Sequence, residues 1–205
     1  MKKVFLSILA GSALLVTSCG GGNEAEETTT ETTEVAEAMT YTADVAASAV
    51  NWRGDVIGVY GHEGTINLSR GSVMVAGDQI VGGEFVIDMN TITPTDSSYT
   101  EESPAEKLVA HLGTDDFFSV AEFPTASFTI KSVNGKQVVG DLTVKGQTHE
   151  ETLDVETMEM TAEGMTMSGK LVFDRQKYGV SWKHYVKDYV LSDDIVIKFA
   201  VVAKP

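Results

Sequence analysis

The stretch GMTMSGKLVF, residues 164–173, puts Met165, Met167, Gly169, Leu171 and Phe173 on one parity and Thr166, Ser168, Lys170 and Val172 on the other. A period of two is that of a pleated strand with one face buried, because successive side chains point to opposite sides of a sheet. The same period recurs outward along the chain. Val138, Gly140, Leu142 and Val144 alternate with Val139, Asp141, Thr143 and Lys145, and Phe85, Ile87 and Met89 alternate with Glu84, Val86 and Asp88. Near the C-terminus Ile195, Ile197, Phe199 and Val201 share a face. Breaks such as AGD at 76–78, NGK at 134–136 and AEG at 162–164 have the composition of hairpin turns. The pattern predicts an all-β antiparallel fold of about eight strands, the number at which a barrel closes with room for side chains or one small ligand.

One segment departs from alternation. In SPAEKLVAHLG, residues 103–113, Ser103 suits an N-cap, Pro104 the first helical position, Glu106 a capping box and Gly113 the stop. Leu108, Val109 and Leu112 then form an apolar stripe, which predicts one short helix against the barrel. GTDDFFSVAEFPTASF follows, so that Phe117, Phe118, Phe123 and Phe128 gather beside the helix.

Composition narrows the function classes. The 205 residues carry 30 Asp and Glu against 15 Lys and Arg, with no run of bases, which excludes a polyphosphate surface and leaves no nucleic-acid partner. The single cysteine, Cys19, excludes an internal disulfide scaffold. Lys2 and Lys3 precede the apolar stretch Val4–Val16, and LLVTSC ends on Cys19, so residues 1–18 read as a signal peptide closing on a lipobox. Acylation of Cys19 then anchors an exported lipoprotein at the outer membrane, on its periplasmic or surface face. The segment after Cys19, GGGNEAEETTTETTEVAEA, has six Glu and no base or aromatic residue, and residues 19–38 read as a lipidated cysteine with an acidic tether. Its glycines and acids resemble the export tract of Bacteroidetes-like surface lipoproteins. Residues 39–205 form one domain, carrying a net charge of about −11.

Catalytic signatures are missing. No GxSxG elbow or GxxxxGK phosphate loop occurs, and no cofactor motif is present. The four histidines have no metal-ligand spacing. Met158, Met160, Met165 and Met167 make two MxM units across a short turn. Such thioethers hold copper(I), but methionine more commonly fills irregular core gaps, and that reading carries more weight here. Leu153 and Val155 occupy odd positions while Met158 and Met160 occupy even ones. A bulge near Thr157 is required if both pairs face inward.

Taken in order, Asp44, Ser48, Val50 and Trp52, then His62 in YGHEGTI, GGEFVIDMNTI, HLGTDDFFSVAEFPTASF, GDLTVKGQTHEETL and FDRQKYGV, the domain resembles the YceI-like family of bacterial secreted proteins over almost all of residues 41–202. The resemblance implies an extended lipocalin-like barrel whose elongated apolar cavity holds a polyisoprenoid or another long-chain amphiphilic lipid. Such a barrel binds by contact area, so the candidate wall residues are Trp52, Phe85, Ile87, Met89, Phe118, Phe128, Leu142, Phe173 and Phe199. His62 is the candidate for a ligand head group, with a buried backbone carbonyl as its alternative partner. SWKHYVKDYV, residues 181–190, is unusually aromatic and basic. Trp182, Tyr185 and Tyr189 there suit either a homodimer surface or a cover for the barrel mouth.

Overall fold

A computed structural model describes residues 37–161 and 163–205. The signal peptide, Cys19 and all but the end of the tether lie outside the described residues. The elements run β1 (Ala38–Ala43), β2 (Ala49–Val56), β3 (Tyr60–Ala76), β4 (Gln79–Pro94), α1 (Ala105–Leu112), β5 (Thr125–Asn134), β6 (Gln137–Val144), β7 (Gln147–Thr161), β8 (Gly164–Asp174) and β9 (Leu191–Lys204), with a 3₁₀ turn at Arg175–Tyr178. Strands β2 to β9 pair antiparallel in a ring, each with its chain neighbour and β9 with β2, so an eight-stranded barrel closes without a free edge. The three glycine breaks lie between β3 and β4, β5 and β6, and β7 and β8, where the alternation placed hairpins.

Strand β1 was not distinguished in the sequence. β3 is 17 residues long, and β2 pairs with it only from Tyr60 to Ile66. β1 takes the far end of the same gap, pairing Ala38–Thr42 with Ser72–Ala76 and Thr42–Ala43 with Ala203–Lys204. Asp44 and Ser48 make the corner between the two half-strands. The Ser48 hydroxyl donates to the Asp44 carbonyl at 2.8 Å and accepts the Val202 N–H at 3.1 Å, and Lys204 Nζ meets Asp44 Oδ2 at 2.8 Å. Two residues of the resemblance thus tie the chain's first strands to its last.

The helix lies where the sequence placed it, but its ends differ. It starts at Ala105 with Pro104, not Ser103, at the N-cap position and with no side-chain cap; Ser103 lies one residue earlier, where its backbone N–H and carbonyl pair with Thr100. Gly113 has φ −78°, not a left-handed stop. Its N–H still bonds to Val109, and the chain winds on through further turns to Phe123. A break in register between Val155 and Thr157 supplies the bulge demanded by the parity change in β7.

The two barrel ends are unlike. Tight hairpins close one end, where Val73, Val138, Met165 and Ala203 are almost wholly buried and fill the interior. The other end carries the β2–β3 hairpin, the α1 connection, the β6–β7 turn and the segment from Arg175 to Val190. Ser48→Ala leaves the part-buried Val202 N–H without its acceptor and is expected to lower stability by about 1–2 kcal/mol. Urea unfolding monitored by tryptophan fluorescence measures that change.

Candidate functional site

A cavity of about 790 Å³ occupies the barrel between the packed hairpin end and the long connections, within the size range of small-molecule sites of roughly 300–1,000 Å³. All nine candidate wall residues line it: Trp52, Phe85, Ile87, Met89, Phe118, Phe128, Leu142, Phe173 and Phe199. Val50, Ile66, Leu68, Leu153, Leu171 and Val201 complete the apolar wall, and Leu108 and Leu112 of α1 lie along one side of the opening.

Four of these rings lie over glycines of neighbouring strands. A Cβ built on Gly64 would stand 2.8 Å from Trp52 Cζ2, on Gly71 2.5 Å from Phe85 Cδ1, on Gly140 2.5 Å from Phe128 Cζ, and on Gly169 2.7 Å from Phe199 Cζ. Each glycine leaves a recess that the ring occupies, so the ring lies along the wall instead of across the lumen. Alternation alone marked Gly140 and Gly169 as inward positions without showing this purpose.

Polar groups gather at the long-connection end. His62 Nδ1 lies 3.2 Å from the Tyr99 hydroxyl and 3.4 Å from both Asp96 carboxylate oxygens. The partner of His62 is therefore this Asp–Tyr pair and not a backbone carbonyl. Tyr99 donates to Asp96 Oδ2 at 2.6 Å, and Ser98 donates to Oδ1. Burial opposes the Asp96 charge, but hydrogen bonds from the Ser98 and Tyr99 hydroxyls and the Ser98 and Glu63 N–H groups outweigh it and hold the carboxyl well below its ordinary value. Burial, with the adjacent carboxylate, pushes the Tyr99 phenol well above its own. The loop 95–99 shows no periodicity and lies 34–37 residues from His62, so no pattern in the sequence announced the pairing.

Across the mouth, Trp182, His184 and Tyr185 line the cavity, so the 181–190 segment borders the mouth. Trp182 packs edge-on to His111 at 5.0 Å and tilted against Phe117 at 5.5 Å. Buried Arg175 shapes the segment, donating to the carbonyls of Ser192, Val180 and Trp182 and pairing with Asp193 at 3.0 Å. The methionines divide differently. Met165 and Met167 are buried in the core and Met160 is partly so, while Met158 is exposed despite pairing with Met167.

Fold and cavity together define a lipocalin-like barrel, apolar along its length and polar at one mouth. A YceI-like domain is matched over residues 41–203, and the chain belongs to that family. In fold it is similar to BcnA of Burkholderia cenocepacia, with a TM-score of 0.64 at 23% identity, covering 79% of this chain and 99% of BcnA. It is also similar to a polyisoprenoid binding domain from Saccharophagus degradans, with a TM-score of 0.54 at 15% identity, covering 80% and 97%. A UPF0312 protein of Staphylococcus epidermidis is 41% identical over 78 residues, 35% of this chain and 46% of the relative; the chain spans about half the length of the curated relatives it matches.

Two outcomes are expected. Gly140→Ala forces the Phe128 ring off the wall, costing about 1–3 kcal/mol in denaturant unfolding and reducing uptake of a fluorescent long-chain probe. Asp96 titrates below its ordinary 3.8 in the folded state, so its stabilisation is complete above about pH 4 and is lost as pH falls further. Asp96→Asn should therefore remove part of the wild-type decline in urea midpoint between about pH 4 and pH 2, which parallel unfolding series at stepped pH would show.

Proposed function

We propose that the protein binds a long-chain apolar ligand of the isoprenoid or quinone type in its barrel cavity, sequestering or carrying it at the cell envelope without catalysis, while acyl chains on Cys19 hold it to the outer membrane. The observation that carries this reading is the lengthwise apolar wall with a filled end and a polar mouth. Hydrocarbon gains about 0.8 kcal/mol per buried methylene, so a tail of several isoprene units offsets an association cost of about 4–15 kcal/mol. Among the described residues, every buried side-chain nitrogen and oxygen already has a partner, so an alkyl chain along the wall strands no polar group. At the mouth, His62, Tyr99 and His184 offer donors and acceptors to one polar head. The polyisoprenoid binding domain among the similar folds supports the same class of ligand.

Native mass spectrometry of protein purified from the membranes of its own host, followed by solvent extraction, tests the proposal. A released lipid is the expected result. Leu142→Trp, which fills part of the lumen from a buried wall position, should retain much less of it at an unchanged circular dichroism spectrum. A lipid-free protein that also takes up no long-chain probe would count decisively against the reading.

A further inference from the structure

The mouth, polar within, is apolar on its outer rim. Of the twelve large hydrophobic residues exposed among the described residues, six belong to two short segments at this end: Ile57, Val59 and Tyr60 of the β2–β3 hairpin, and Tyr185, Val186 and Val190 of the 181–190 segment. Tyr185 is 86% exposed, Ile57 62% and Val190 58%. The remaining six are scattered along the chain from Met39 to Val172. Such concentration marks an interaction site, whereas single exposed apolar residues are ordinary.

The two segments are joined. Ile57 N–H donates to the Val190 carbonyl at 2.8 Å, the Tyr60 hydroxyl meets His184 Nε2 at 3.2 Å, and the Tyr60 and Tyr189 rings stand 6.3 Å apart. The patch is continuous with the cavity, because Tyr60, His184 and Tyr185 belong to both. Charge is distinctive too. Residues 39–205 carry about −11, yet 181–190 holds Lys183 and Lys187 against Asp188 alone. The nearby Asp55 is paired with Arg53 at 2.7 Å.

We propose that this rim is a membrane-docking surface, in which Ile57, Val59, Tyr185, Val186 and Val190 sink into the headgroup layer of a lipid bilayer and set the cavity mouth against it. Tyrosines suit that depth, and the two lysines extend toward lipid phosphates. The inference deepens the ligand-binding reading and rests on it for its purpose. A tail passing directly from bilayer to cavity avoids exposing its methylenes to water at about 0.8 kcal/mol each. A second copy of the chain is the competing occupant, but like-charged domains of about −11 repel, whereas Lys183 and Lys187 on the exposed tip can each meet a lipid phosphate.

The test uses the chain from Gly20 to Pro205, which lacks the acyl anchor and keeps every strand of the barrel. Co-sedimentation with phosphatidylethanolamine–phosphatidylglycerol vesicles is compared for wild type, Ile57→Asp with Val190→Asp, and Val81→Asp as an exposed control at the hairpin end. Neither Ile57 nor Val190 lines the cavity, so uptake of cis-parinaric acid, supplied without vesicles, reports fold and ligand site independently. The double variant should lose vesicle binding by about tenfold or more while parinaric acid uptake and the Val81→Asp control stay at the wild-type level. Equal vesicle binding by all three proteins, or none by wild type, overturns the proposal. So does a lipid-free dimer that the double variant abolishes with vesicle binding unchanged, which assigns the patch to a second copy. Vesicle binding lost in the double variant by a protein that never takes up parinaric acid leaves docking standing and removes the ligand reading instead.

Discussion

The hollow depends on aromatic rings that have somewhere to go other than the axis. Eight strands enclose only enough space for side chains to meet, and a wall bearing Trp52, Phe85, Phe128 and Phe199 would ordinarily fill it. Gly64, Gly71, Gly140 and Gly169 prevent that by leaving recesses on adjacent strands into which the rings fold. The glycines weaken the strands locally, since they bring no side chain to pack and lose more chain entropy on folding. The ring above each one covers the exposed backbone and restores contact area. At the hairpin end Val73, Val138, Met165 and Ala203 meet directly and the lumen ends.

A wall of this kind needs a closed ring to hold it, and closure is completed by a divided strand. β1 and β2 together span the gap between β3 and β9, and the Asp44–Ser48 corner between them is hydrogen-bonded to the chain's last strand. Register shifts at three places along the β3–β4 ladder and one bulge in β7 add the curvature that straight strands of 15–17 residues lack. With no unpaired edge left along the ring, the ends become the only places where an apolar ligand can enter.

Period-two reading found much of this because a barrel wall is periodic. All nine candidate wall residues lie on the cavity, while Val138 and Met165 from the same alternating runs fill its closed end, and even the β7 bulge was legible as a change of parity. What escaped was information carried between distant positions. Gly64 and Gly71 carry no local sign of the Trp52 and Phe85 rings they accommodate. The attraction of His62 to Asp96 and Tyr99 joins an early strand to an irregular loop. Ser103 has every local qualification for a helix cap, yet the helix begins one residue later, with Pro104 at the cap position and Ser103 in a backbone turn with Thr100. The chemistry of the mouth sits almost wholly in such segments, where propensity carries little information.

Arg175 shows how those irregular segments gain definition. Its guanidinium is nearly excluded from water, and burial lowers its proton affinity from the ordinary value against the opposing pull of Asp193 and Asp174. A buried cation is tolerated only when its donors are met, and this one is met by three carbonyls and a carboxylate around the turn that leads from β8 into the mouth segment. The guanidinium is therefore committed to shaping backbone and has little left for a ligand's charged head. The same commitment fixes the base of a segment whose tip, at Tyr185, is almost fully exposed. A rigid root beneath an apolar tip allows the rim to be presented to a partner surface without collapsing into the cavity it frames.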